Sequence, residues 1–180
     1  MSGAPLVKLL CGLLYPESEP EWKDRAREML AGSFGPVQRE SGPFPFRSTD
    51  YYRDISPELS RCFFSFDGLV FPDLVRWKKT AIGLESSSAS GHPGGRRVNM
   101  DPGYIDGARL VLASTKDNAH RIYIDEGIFA ETTLCRRKSG WESFSYTFPD
   151  FRSGIYDAFL ETARRDWLAD VRERKKSMGG

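Results

Sequence analysis

Apolar and polar positions fall into blocks of differing period along this chain. Leu6–Tyr15 is a compact apolar run broken only by Lys8 and reads as a first buried strand. Ser18-Glu19-Pro20-Glu21 follows with capping-box spacing, Ser18 accepting from the first helical turn and Glu21 reaching back. Trp22, Ala26, Met29 and Leu30 then recur at helical spacing, and Gly32 or Gly35 ends the helix. Residues 36–50, with three prolines, are extended or looping, and Arg61–Phe66 is a strand. Pro72 opens a second helix with Leu74, Trp77, Ala81 and Leu84 on one face, leaving Arg76, Lys78 and Lys79 to solvent.

The Ser- and Gly-rich stretch 86–95 reads as a flexible loop. Arg96–Met100 is extended, and Asp101-Pro102-Gly103 carries a type II turn signal. Leu110–Ala113 is a strand. His120–Ile124 and Ile128–Cys135 form a hairpin closed by the three-residue loop Asp125-Glu126-Gly127, which sets Tyr123 against Phe129, Ile122 against Ala130 and Arg121 against Glu131. One hairpin face, with Ile122, Ile124, Ile128, Ala130 and Leu134, is expected in the core. The other carries Arg121, Glu131, Tyr123, Phe129 and Thr133. Trp141–Phe148 is a further strand, and Ser153 caps a final helix with Ile155, Phe159, Ala163 and Trp167 on one face. The order predicts an α+β fold in one domain, 1–180. A ferredoxin-like β-α-β-β-α-β half is followed by an antiparallel meander and a C-terminal helix.

With 180 residues, 39% of them hydrophobic and 13% aromatic, the chain can bury one core without staples. Lys and Arg total 26 against 25 Asp and Glu. No basic surplus drives it to duplex nucleic acid or to an anionic membrane, and the same balance counts against single strands stacking on exposed aromatics unless a local basic potential supports them. Cys11, Cys62 and Cys135 lie in apolar or strand-like runs without a CxxC, as reduced thiols of a cytoplasmic protein do. The first apolar run is too short to cross a bilayer and has neither a basic leader nor a cleavage signal.

Candidate chemistry concentrates in STKDNAHR, 114–121. Ser114-Thr115-Lys116-Asp117 brings two hydroxyls and an ammonium into one turn, a device that holds anions, and His120 is a candidate acid–base. There is no GxxxxGK[ST] phosphate loop, no GxSxG elbow, no dinucleotide fingerprint and no metal spacing, so neither a metal nor a cofactor is assigned.

RRVNMDPGY (96–104), RLVLASTKDNAHRIYIDEGIFAETTL (109–134), YTFPDFRS (146–153), FRSTDYY (46–52) and the opening PLVKLLCGLLY resemble the bacterial family known as domain of unknown function 4416. The resemblance implies a small cytoplasmic bacterial protein with no established activity. Some members carry a GTP-binding label, for which this chain offers no phosphate loop. Phe148 and Phe151 stand where the family usually has tyrosine.

The matched blocks are rich in charge at element ends. Arg97, Asn99, Lys116, Arg121, Asp150, Arg152 and Tyr123 are the candidate ligand-binding residues. His120, Glu131 and Asp101 are the candidates for acid–base work. The expectation is a concave site for a small anionic ligand bearing phosphate or carboxylate, nucleotides included. The alternative is a non-catalytic protein-interaction or regulatory module using the aromatic face of Tyr123 and Phe129 with Tyr51 and Tyr52.

Overall fold

The computed structural model describes residues 5–47, 52–91 and 95–178. Its elements run β1 (Lys8–Pro16), α1 (Glu21–Phe34), β2 (Val37–Glu40), β3 (Phe44–Phe46), β4 (Leu59–Phe66), α2 (Leu74–Ser88), β5 (Asn99–Ile105), β6 (Arg109–Ser114), β7 (Ile122–Asp125), β8 (Ile128–Arg137), β9 (Gly140–Ser143), α3 (Pro149–Arg152) and α4 (Asp157–Met178). This is the expected α+β order, with β3 added beside β4.

One antiparallel sheet runs β2-β4-β1-β5-β6-β8-β7, with β3 on β4 and β9 on β8. β1 and β4 are buried at every position, which explains their near-continuous apolar sequence. On one face α1 and α2 contribute Trp22, Leu30, Trp77 and Ala81 to a core with Leu13, Phe64 and Met100. On the other face α4 lays Leu160 and Ala163 against Leu10, Phe63, Ile105 and Leu110. The sheet is therefore the middle of three layers.

Several local expectations are corrected. Ser18 does not cap α1: Pro20 stands at the cap with no side-chain bond, its φ of −62° already helical. α2 is capped by Asp73 and runs to Ser88, so the first residues of the Ser/Gly stretch are helical. The hydroxyls of Ser86, Ser87 and Ser88 bond carbonyls three or four residues back, which lets serine continue a helix. Residues 92–94 of that stretch, and Tyr51, lie outside the described residues. The strand expected over 141–148 stops at Ser143, where Phe144 N–H turns to Thr147 Oγ1. Ser153 ends α3 rather than starting α4, and Ile155 is exposed.

In the hairpin, Tyr123 faces Phe129 and Ile122 faces Ala130, as expected. The loop, however, is the two residues Glu126-Gly127, with φ of 49° and 75°, and the odd residue is absorbed by a bulge at Ile124. Of the face expected in the core, Ile128 and Leu134 are buried, but Ile122 is 73% exposed and Ile124 is exposed too. β7 is the outermost strand, so its apolar residues meet solvent.

The largest correction concerns Asp101-Pro102-Gly103. These residues are not a turn but the middle of β5, with Gly12 opposite Asp101 and Cys11 opposite Pro102. Gly103 is required for closeness, not for positive φ: a Cβ there would lie 2.1 Å from the Val111 carbonyl oxygen. β5 and β6 pair only at Gly103–Leu112, Tyr104–Val111 and Ile105–Leu110. Pro102, the next residue back, has no N–H to offer.

Gly103→Ala is expected to destabilise the protein by at least about 2 kcal/mol, because rigid backbone opposes the new methyl. Gly42→Ala, where a Cβ meets nothing within 4 Å, should stay within about 0.5 kcal/mol. Urea unfolding of the two variants measures the difference.

Candidate functional site

Where the β5–β6 ladder ends, the two strands leave a gap, and a cavity of about 470 Å³ opens beside it. Asn99 and Asp101 form its β5 side, and Leu112, Ala113 and Ser114 its β6 side. Lys78, Ile82 and Glu85 enter from α2. Thr115, Lys116 and Arg121 come from the turn before the hairpin, with Glu131 and Thr133 from β8. Arg61, Tyr52, Phe148 and Phe151 complete the wall with Arg96.

The Met100 peptide lies on the strand edge that β6 leaves unpaired. Its N–H donates to Glu85 Oε1 at 2.7 Å, and its carbonyl accepts from Lys78 Nζ at 2.8 Å. Two side chains of α2, seven residues apart and thus on one helix face, replace the absent strand. Lys78 also donates to Asp101 Oδ1 at 3.1 Å. Asn99 donates to Asp101 Oδ2 at 2.9 Å. Arg96 joins Glu85 Oε2 at 2.7 Å to Asp54 Oδ2 at 3.1 Å.

Burial alone would raise the Asp101 carboxyl, but Lys78 and then Arg61 outweigh it and hold it below the usual carboxylate range. Burial raises Glu85 above that range, and Lys78 only partly offsets it. Burial likewise opposes the charge of Lys78, yet Asp101 and Glu85 together raise its pKa. The cluster keeps its ammonium charged at neutral pH.

Arg61 is 6% exposed and projects from β4 into the cavity wall. Its guanidinium carbon lies 4.7 Å from the Phe46 ring centre and 5.3 Å from that of Phe151. Its ion pair with Asp150 Oδ2 is long at 3.4 Å, and its Nε–H has no acceptor among the described residues. Asp150 Oδ2 also accepts from Tyr156 at 2.8 Å, and burial pushes that hydroxyl's pKa well up, so it remains a donor.

The third group centres on Glu131. Its Oε2 accepts from Arg121 Nε at 2.8 Å and lies 3.0 Å from His120 Nε2, while Thr133 donates to Oε1. The His120 ring is stacked 4.1 Å from Tyr146, which in turn stacks on Phe144. Burial pushes the Cys62 thiol up to about 12 and Cys11 well above the usual thiol range, so neither is a nucleophile at neutral pH.

Residues 5–167 match the family described as domain of unknown function, DUF4416. The chain belongs to the DUF4416 family. Comparison with curated proteins gives no match, and comparison with solved structures gives none. Among the described residues of this DUF4416 protein, no group of three or more His, Cys, Asp or Glu is placed to hold a metal ion, and no helix is long and apolar enough to cross a membrane.

Of the residues singled out in the sequence, Asn99, Asp101, Lys116, Arg121 and Glu131 line one cavity. His120 does not: it stands behind Glu131, with its Nε2 3.0 Å from the carboxylate that lines the cavity. Asp150 is also one step back, behind Arg61. Arg97 is drawn away into an ion pair with Glu19. Arg152 is exposed, and Tyr123 lies on the outer hairpin against Phe129.

Arg61, Lys78, Glu85 and Arg96 went unselected. The signal for two of them was present: Leu74, Lys78, Ala81, Glu85 and Ser88 form one stripe at helical spacing, and all five are buried. Lys78 is therefore a core residue, not a solvated one.

Lys78→Met is expected to cost about 3 kcal/mol, since it strands Asp101 and the Met100 carbonyl. Denaturant midpoints report it. The acid limb of stability separates the two carboxylates. Asp101, with its pKa lowered, stabilises above the usual carboxylate pKa and loses that contribution as pH falls through its folded value. Glu85, with its pKa raised, does the opposite, contributing below its unfolded pKa and losing that as pH rises. Between about pH 5 and 3, Asp101→Asn should flatten the stability profile and Glu85→Gln should steepen it, measured by urea unfolding at each pH.

Proposed function

We propose that this DUF4416 protein binds a small organic anion, bearing phosphate or carboxylate, in the cavity between β5 and β6. The observation that carries this reading is Arg61, a buried arginine that lines the cavity, packs against the Phe46 and Phe151 rings and has an Nε–H without an acceptor among the described residues. A charge removed from water needs partners: Asp150 pairs with it at 3.4 Å and Asp101 is close enough to feel its charge, yet neither gives the Nε–H an acceptor. The lining adds Lys78, Arg96, Lys116 and Arg121 against Glu85, Asp101 and Glu131, so cations exceed carboxylates. A planar guanidinium fork suits a phosphate or carboxylate. Binding alone needs no more than this. Glu131, with His120 behind it, is the group placed to exchange a proton with a bound ligand. The site is that of a cytoplasmic protein meeting metabolites in solution.

A second reading, a protein-interaction edge, draws on the exposed Ile122, Tyr123 and Ile124 of the outermost strand.

The test is a thermal-shift screen of the protein with inorganic phosphate, sugar phosphates, nucleotides and carboxylic acids, beside Arg61→Met and Lys116→Ala. A ligand at about 100 times its Kd adds about 2.7 kcal/mol, roughly 5–10 °C for a domain of this size. The expected result is a shift that Arg61→Met abolishes and Lys116→Ala reduces. A shift of equal size in Arg61→Met, or none with any compound, overturns the reading.

A further inference from the structure

The walls around Arg61 bear on more than the ligand's sign of charge. Resting on the anion site at Arg61, we propose that the ligand carries a single anionic group on a planar apolar body, an aryl phosphate or aryl carboxylate in class, with the anion at Arg61 and the ring against Phe151, Phe148 and Ile82. Phe151 both flanks the guanidinium, at 5.3 Å, and lines the cavity, so whatever is attached to an anion on Arg61 begins its path beside an aromatic ring. Phe148, three residues earlier across the start of α3, lines the same cavity. Phe148 is 42% exposed and Ile82, from α2, is 39% exposed. Large apolar side chains left open to water along a cavity wall favour an apolar occupant. A volume of about 470 Å³ leaves room for a ring beyond the anionic group itself.

The restriction to one anionic group comes from the pairing already in place. Lys78 is bound to Asp101, Arg96 to Glu85 and Arg121 to Glu131. Those three carboxylates face the same space, so a second phosphate would compete with them for their cations and be repelled by them. A di- or triphosphate is thereby disfavoured against a monoester. A ring that removes about 60 Å² of apolar surface from water tightens binding about tenfold.

The experiment is titration calorimetry with four probes, inorganic phosphate, phenyl phosphate, ribose 5-phosphate and pyrophosphate, on the unmodified protein, Phe148→Ala and Arg61→Met. Phenyl phosphate should bind about tenfold more tightly than inorganic phosphate, with ribose 5-phosphate and pyrophosphate no tighter than phosphate. Phe148→Ala should remove a large part of the advantage of phenyl phosphate over phosphate while leaving phosphate itself unchanged. Phe148 is an exposed side chain, so its truncation spares the fold. Arg61→Met should lose all four. If Arg61→Met does not fold, Arg61→Lys, which keeps the charge but not the fork, should weaken each probe at least severalfold. Equal binding of phenyl and inorganic phosphate, preference for ribose 5-phosphate or pyrophosphate, or indifference to Phe148→Ala overturns the ring but leaves the anion site standing. Failure of every probe to bind, or binding unaffected at Arg61, overturns both.

Discussion

The peptide of Met100 is the point on which the rest of this architecture turns. A central strand has been parted from its neighbour, and a buried N–H and C=O without partners would each cost on the order of 1–3 kcal/mol. Glu85 and Lys78 provide those partners from a helix instead of a strand. Having brought two opposite charges inside, the fold must satisfy their remaining capacity. Asp101 answers Lys78, Arg96 answers Glu85, and Asn99 and Asp54 complete the set. The parting of β5 from β6 thus creates the cavity and requires the polar network that lines it. Shape and charge here have one cause.

The broad architecture was readable because it depends on period and sign. A nine-residue buried strand, two helices with apolar faces and a hairpin with Tyr123 opposite Phe129 leave marks that survive any tertiary arrangement. What was not readable depends on distance between elements. Asp-Pro-Gly is a turn by local preference, yet in β5 the proline marks the end of a ladder and the glycine admits a carbonyl from β6. Ile122 and Ile124 look like core by alternation, but alternation cannot say that their strand lies at the edge of the sheet. Lys78 and Glu85 were hidden by the habit of assigning charge to solvent, although both sit in the buried stripe of α2.

The candidate site was legible in part for the same reason. Polar residues at the ends of β5, β6 and β8 could be grouped by type, and five of them do meet in one cavity. Arg61 could not be found that way. It sits within an unbroken run of buried residues, and its significance lies in what surrounds it: Phe46 and Phe151 on its faces and Asp150 slightly too far to satisfy it. His120 shows the converse. Its chemistry singled it out, but its stacking on Tyr146 and its bond to Glu131 make it a support to the carboxylate that meets the cavity.

The three-pair contact between β5 and β6 has a mechanical meaning as well. It divides the sheet into two plates, β2-β4-β1-β5 and β6-β8-β7 with β9, joined along a hinge only three residues long. A rotation about that hinge would change the width of the cleft while leaving the pairing within each plate intact. α2 packs on β5, β6 and β8 and so spans the joint like a splint. The stiffness of this protein around its cavity is therefore set less by the extent of its sheet than by one helix and the two charged side chains with which it grips the strand beneath.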